Sequence, residues 1–182
     1  MAEDLRKGNV IDLDGKLYQI IDVQHIKMKR TALNRIKMRD LRSGSIIEQS
    51  FQNTETFKKV RLEGRPMQYL YQENGLYYVM DQDSFEQIPL TKDQMGDAIN
   101  YLVEDMILNV EFYQDEVLSV SPPITIVLTV TKTEPGYAGD TKSGASKPAV
   151  LQTGYTLNVP LFVNQGDKIK VDTRTGNYLE RA

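Results

Sequence analysis

At 182 residues the chain can form one large domain or two to three small ones, and its 40% hydrophobic content suffices for a buried core. It has no cysteine and a single histidine, which excludes a disulfide framework, thiolate chemistry and sulfur ligation of metals. The acidic start Met1-Ala2-Glu3-Asp4 is unlike a secretory lead, and no run approaches the ~20 apolar residues that span a bilayer. A cytoplasmic monomer with no membrane contact is expected.

Charge divides the chain where its net value of -3 conceals a pattern. Residues 1–65 carry 14 bases against 9 acids, residues 66–128 carry Lys92 alone against 11 acids, and residues 129–182 carry 7 bases against 5 acids. The resulting +5, -10 and +2 point to three modules, of which the outer two can approach nucleic acid and the middle one is repelled by it.

In chain order, strand patterns dominate. Apolar runs on either side of Asp14-Gly15 predict a first hairpin. A second runs up through Val23 to Lys27 and returns from Asn34 to Leu41. On the returning strand Ile36 and Met38 share one face, while Arg35, Lys37 and Arg39 share the other. Ser43-Gly44 then turns the chain toward Phe51, completing a barrel of about five strands. Asn74-Gly75 predicts another hairpin in the second module. The one convincing helix is expected after Thr91, which with Gln94 spells a capping box. Its stripe would be Met95, Ile99, Leu102, Val103 and Met106. Beyond residue 131, short strands alternate with Gly-rich turns, as in small barrels. An all-β chain of three small β-barrel domains, with boundaries near 65 and 128 and one short helix in the middle domain, is the expected fold.

Catalytic tools are missing. His25 has no second imidazole or thiol beside it, and Asp81-Gln82-Asp83 lacks the glycine that a calcium loop needs, since Glu86 stands there. No phosphate-loop or dinucleotide fingerprint occurs. No enzymatic activity, cofactor or metal is expected.

Two basic or glycine-rich features stand out instead. Lys27-Met28-Lys29-Arg30-Thr31 puts three cations at the tip of the second hairpin, with Arg35, Lys37, Arg39 and Arg42 behind. A protruding basic finger suits insertion among RNA phosphates; the same charges would also serve a solvated hairpin protected from edge-to-edge pairing. The loop from Gly136 to Pro148, with Gly139, Asp140 and Thr141, offers backbone amides as a phosphate nest, or is a plain flexible loop.

The stretch Gly136-Tyr137-Ala138-Gly139-Asp140-Thr141-Lys142-Ser143-Gly144-Ala145-Ser146-Lys147-Pro148-Ala149 resembles the third domain of the elongation factor P family. So do Val159-Pro160-Leu161-Phe162-Val163 and the run from Gly166 to Tyr178. The resemblance extends across essentially the whole chain, including Phe85-Glu86-Gln87 and Ser121-Pro122-Pro123. It implies a KOW/SH3-like N-terminal domain at 1–65, an acidic oligonucleotide-binding (OB) type domain at 66–128 and a second OB-type domain at 129–182. It further implies a non-enzymatic factor that binds both ribosomal subunits beside the P-site peptidyl-tRNA and relieves stalling at consecutive prolines. The finger would point at the acceptor end, and Asp140 and Thr141 would contact tRNA or the small subunit. The family's finger commonly reads Lys-Pro-Gly-Lys-Gly, whose tip residue is often modified by a dedicated enzyme; this chain is one residue shorter there. Counting from Ile26 puts Arg30 at the tip, and counting back from Leu41 puts Lys29 there. The alternatives are an elongation-factor-P-like paralogue and a general RNA-binding β-barrel protein without the peptidyl-tRNA role.

Overall fold

The computed structural model describes residues 2–27, 32–136 and 145–182. Three five-stranded sheets account for nearly all regular structure. The first contains β1 (Val10–Leu13), β2 (Lys16–Lys27), β3 (Ala32–Asp40), β4 (Ile46–Gln52) and β5 (Lys58–Val60), in the order β4-β3-β2-β1-β5. The second contains β6 (Glu63–Glu73), β7 (Leu76–Asp81), β8 (Gln87–Leu90), β9 (Ile107–Tyr113) and β10 (Glu116–Ser121), in the order β10-β9-β6-β7-β8. The third contains β11 (Thr125–Thr133), β12 (Ser146–Leu151), β13 (Thr156–Pro160), β14 (Lys168–Asp172) and β15 (Asn177–Arg181), in the order β13-β12-β11-β14-β15. The fold is all-β, as expected.

Local chemistry explains the hairpins. Asp14 and Gly15 have φ of 52° and 80°, and Asn74 and Gly75 have 51° and 80°. Two successive positive φ values make the turn whose twist matches that of paired strands, and Asp-Gly and Asn-Gly adopt it at least cost. The two hairpins read separately at the start of the chain share one strand. β2 pairs with β1 through its first residues and with β3 from Tyr18 to Lys27, and a bulge between Ile20 and Asp22 absorbs the change.

The helix differs from its expected form. Its capping box is present: Gln94 N donates to Thr91 Oγ1 (3.3 Å) and Thr91 N donates to Gln94 Oε1 (2.9 Å). However, the α-helix α1 covers only Lys92–Met95 and gives way at Gly96 (φ 52°) to a 3-10 helix over Gly96–Tyr101. A 3-10 turn stacks residues three apart, so the buried side chains are Met95, Ala98 and Tyr101. Ile99 and Leu102 are only partly buried.

The chain forms two compact units. Met1–Glu63 with Glu111–Leu118 is one; in it Ile11, Ile20, Ile36 and Met38 are nearly or wholly inaccessible to solvent, and Leu118 packs with Val10 and Leu17. Gly64–Val110 with Ser119–Ala182 is the other. In this second unit Tyr101 meets Tyr155 edge-on, with centroids 5.3 Å apart. Thr153 Oγ1 donates to the Asn100 carbonyl (2.7 Å). Burial and a hydrogen bond with Tyr155 push the Tyr101 phenol up to about 12. Gly176, at φ 72°, lies against these rings, where a Cβ would overlap the Tyr155 hydroxyl.

Candidate nucleic-acid interface

The finger is β2 and β3. Their pairing runs unbroken from Asp22–Lys37 to Lys27–Ala32, so the ladder reaches the edge of the connection. The tip residues Lys29 and Arg30 lie outside the described residues. On β3 the period-two pattern holds: Ile36 and Met38 are fully buried, while Arg35, Lys37 and Arg39 are exposed on the opposite face.

What stands across from each cation differs. Arg35 Nε lies 3.5 Å from Glu48 Oε1 on β4, with both side chains about half exposed (48% and 52%). Lys37 is flanked by Asp22 on β2 and Glu48 on β4. Arg39 is flanked by Gln19 and Ile46, neither of them charged. The row therefore becomes less neutralised toward Arg39.

Arg42 is differently placed. Its Nε and Nη2 donate to the two carboxylate oxygens of Glu116 (3.0 and 2.9 Å), and Nη1 donates to the Gly15 carbonyl (3.2 Å). This fork geometry is the strong form of an ion pair. The hydrogen bond from Arg42 lowers the Glu116 carboxyl below its usual range, and Glu116 in turn raises the Arg42 guanidinium. Arg42 is thus engaged in joining two turns, whereas the β3 row faces solvent.

Sequence reasoning did not anticipate the polar pair at the finger's base. Asn34 continues the inward parity of Ile36 and Met38 and is fully buried. Opposite it on β2, His25 Nδ1 lies 2.5 Å from Asn34 Oδ1. With the proton on Nδ1 the ring donates to the amide oxygen, leaving Asn34 Nδ2 without a partner among the described residues. A residue of Asn type within an otherwise apolar parity was the available signal. The contact links β2 to β3 where the finger leaves the core.

In the third sheet, Gly139, Asp140 and Thr141 lie outside the described residues, but both stems of their loop are described. At one stem Gly136 is so close to the Leu161 carbonyl that a Cβ would overlap its oxygen. At the other, Ser146 pairs with Pro160 and Lys147 with Val159. Lys147 is buried, 6% exposed, and its Nζ donates to the Glu134 carbonyl (2.6 Å), which ties the stems together. Near the far end of the sheet, Asp172 Oδ1 accepts from Arg174 N (2.9 Å) and Nε (3.1 Å), and Oδ2 accepts from Nη2 (2.7 Å). These bonds, the side-chain one foremost, bring the Asp172 carboxyl down to about 2. Among the described residues no cluster of His, Cys, Asp or Glu could hold a metal ion, and no helix is long and apolar enough to cross a membrane.

Comparison with known proteins then decides the family. Family models match almost end to end: the elongation factor P KOW-like domain over residues 1–57, the elongation factor P OB domain over 62–120, and the elongation factor P C-terminal domain over 126–181. The chain belongs to the elongation factor P family. It is 49% identical over 181 residues to elongation factor P of Thermoanaerobacter sp. (strain X514), covering 99% of this chain and 98% of that one. Elongation factor P of Finegoldia magna is 48% identical with the same coverage. Among solved structures, eukaryotic translation initiation factor 5A from Methanococcus jannaschii is similar in fold, with a TM-score of 0.51 and 15% identity. That match covers 65% of this chain and 92% of the other. The family assigns a KOW-like fold to the first sheet and an OB fold to the second, and gives the chain a role in translation.

Proposed function

We propose that this family member binds the ribosome beside the P-site peptidyl-tRNA and speeds difficult peptide bonds, relieving stalls at consecutive prolines. Its organisation would be a finger-bearing module at 1–65, an acidic spacer at 66–128 and a C-terminal module at 129–182. Lys27, Arg35, Lys37 and Arg39 meet RNA phosphates, and Lys29 or Arg30 at the tip reaches the acceptor end. A tip-modifying enzyme is a further partner. In the C-terminal module Gly139, Asp140 and Thr141 contact RNA. Arg42 can reach phosphate only by releasing Glu116. The observation that carries this reading is the row of three exposed cations on one face of β3, on a β2–β3 ladder that runs to the edge of the tip, in a chain whose family is established. No catalytic group is required: holding two sluggish reactants in a near-attack geometry lowers a barrier by several kcal/mol, about 7–11 at most.

The test is translation of a triple-proline reporter in a purified system with and without the protein, beside a proline-free control. A selective rise in full-length product from the proline reporter is expected. An equal yield with and without the protein would leave a general RNA-binding barrel or a paralogue with other targets.

A further inference from the structure

Of the five phenylalanines, Phe51 and Phe112 are buried and Phe57 packs against Phe51, but Phe85 and Phe162 are 70% and 59% exposed. Both sit in turns, and neither contributes to a core. Their surroundings separate them. Phe85 belongs to the segment with net charge -10 and has Asp83 and Glu86 as exposed neighbours, which repel a polyanion. Phe162 belongs to the segment with net charge +2, in the connection between β13 and β14.

The turn that carries Phe162 is pinned. Val163, its neighbour, is fully buried and donates its N–H to the Pro160 carbonyl (3.1 Å). Asn164 Nδ2 donates to the Phe162 carbonyl (3.2 Å), and Asn164 N donates to Asp167 Oδ2 (2.9 Å). Gly136 abuts Leu161 on one side and Ser146 pairs with Pro160 on the other, so the backbone leading into Phe162 lies against both stems of the glycine-rich loop. Lys168 closes the same connection, is exposed, and has no carboxylate partner among the described residues.

We propose that Phe162 is a stacking platform for an unpaired RNA base, with Lys168 supplying charge to the adjoining phosphate. An aromatic ring on a pinned backbone stacks with little entropy to lose, and stacking tolerates any base because each has a π-face. The inference deepens the reading that the C-terminal module contacts RNA, and rests on it.

The chain has no tryptophan, so Phe162→Trp creates a single indole fluorophore at this spot and Phe85→Trp a matched control. After thermal melts establish that both variants fold, each is titrated at low salt with single-stranded oligoadenylate and with vacant ribosomes. Ribosome affinity is measured in parallel, by pelleting, for the unsubstituted protein, Phe162→Leu and Phe162→Tyr. Indole fluorescence should be quenched in the Phe162→Trp variant and not in the Phe85→Trp variant. Affinity should fall by about fivefold or more for Phe162→Leu and be retained by Phe162→Tyr. Full affinity for Phe162→Leu, or ribosome binding by the Phe162→Trp variant without quenching, overturns the proposal; the first result indicates an apolar protein contact. Absence of ribosome binding by the unsubstituted protein removes the underlying reading itself, and this inference with it.

Discussion

Arg39 and Arg42 lie three residues apart and carry the same guanidinium, yet only one is free to meet a ligand. Arg39 sits on the β3 strand face between Gln19 and Ile46. Arg42 sits in the turn after β3 and grips Glu116 through both carboxylate oxygens. Arg174 repeats the second arrangement in the C-terminal module, on Asp172. A cation's sequence neighbourhood therefore does not decide its role; what stands across the ladder or the turn does. A strand-face cation with no carboxylate across the ladder, as at Arg39, keeps its charge available, while fork-paired turn cations spend their donors on fixing loops.

The largest effect should come from emptying the strand face. Replacing Arg35, Lys37 and Arg39 together with Ala should cut ribosome affinity by about a hundredfold near physiological salt. The slope of log affinity against log salt should fall by roughly 3, one for each phosphate no longer neutralised. Thermal stability should move little, since exposed positions usually change it by about 0.5 kcal/mol or less each. An unchanged slope in a salt titration would break the distinction, because these cations would then be no more available than Arg42.

A smaller effect should follow from the fork pair in the C-terminal module. The folded-state value of Asp172, about 2, lies below its ordinary 3.8. Its stabilising contribution is thus fully present above about pH 4 and is lost as the pH falls through 2. Asp172→Asn cannot titrate and cannot form the ion pair. Its melting temperature at pH 7 should be lower than that of the unsubstituted protein, and the gap should narrow as melts are repeated from about pH 4 down to about pH 2. A gap independent of pH would mean that Asp172 acts through packing or neutral hydrogen bonds to the turn.

Much of this contrast was legible in sequence, but only on one side. The exposed row followed from the alternation around Ile36 and Met38, because a strand's period of two assigns faces without knowledge of the fold. The hairpins at Asp14-Gly15 and Asn74-Gly75 were legible because their turn chemistry is local. Arg42 was grouped with the row because its partner lies 74 positions away, and no local rule reaches that far. The helix was overextended for a related reason: the stripe from Met95 to Met106 fits a 3.6 period, but Gly96 at φ 52° switches the backbone to a three-residue period. Asn34 beneath His25, and the exposure of Phe162, depend on what the rest of the barrel leaves uncovered.

The smallest effects offer the sharpest test, because they ask whether geometry or charge alone matters at each site. Lysine carries the same charge as arginine but cannot form two parallel hydrogen bonds to a carboxylate. On the strand face, where screened charge near phosphates dominates, Arg39→Lys should leave ribosome affinity within about twofold and the salt slope unchanged. In the turn, Arg42→Lys should lower the melting temperature nearly as much as Arg42→Ala, because neither variant can grip both Glu116 oxygens in a fork while a third nitrogen holds the Gly15 carbonyl. Glu116→Gln should remove most of the difference between the Arg and Lys forms, giving a non-additive cycle. Because the Arg42 bond holds the Glu116 carboxyl below its usual range, the coupling should persist at neutral pH and fade as acid protonates Glu116. Neither Arg42 variant should alter the salt slope of ribosome binding. If Arg42→Lys instead keeps full stability while Arg42→Ala lowers the slope by about one, Arg42 belongs with the strand-face row and its grip on Glu116 yields to phosphate.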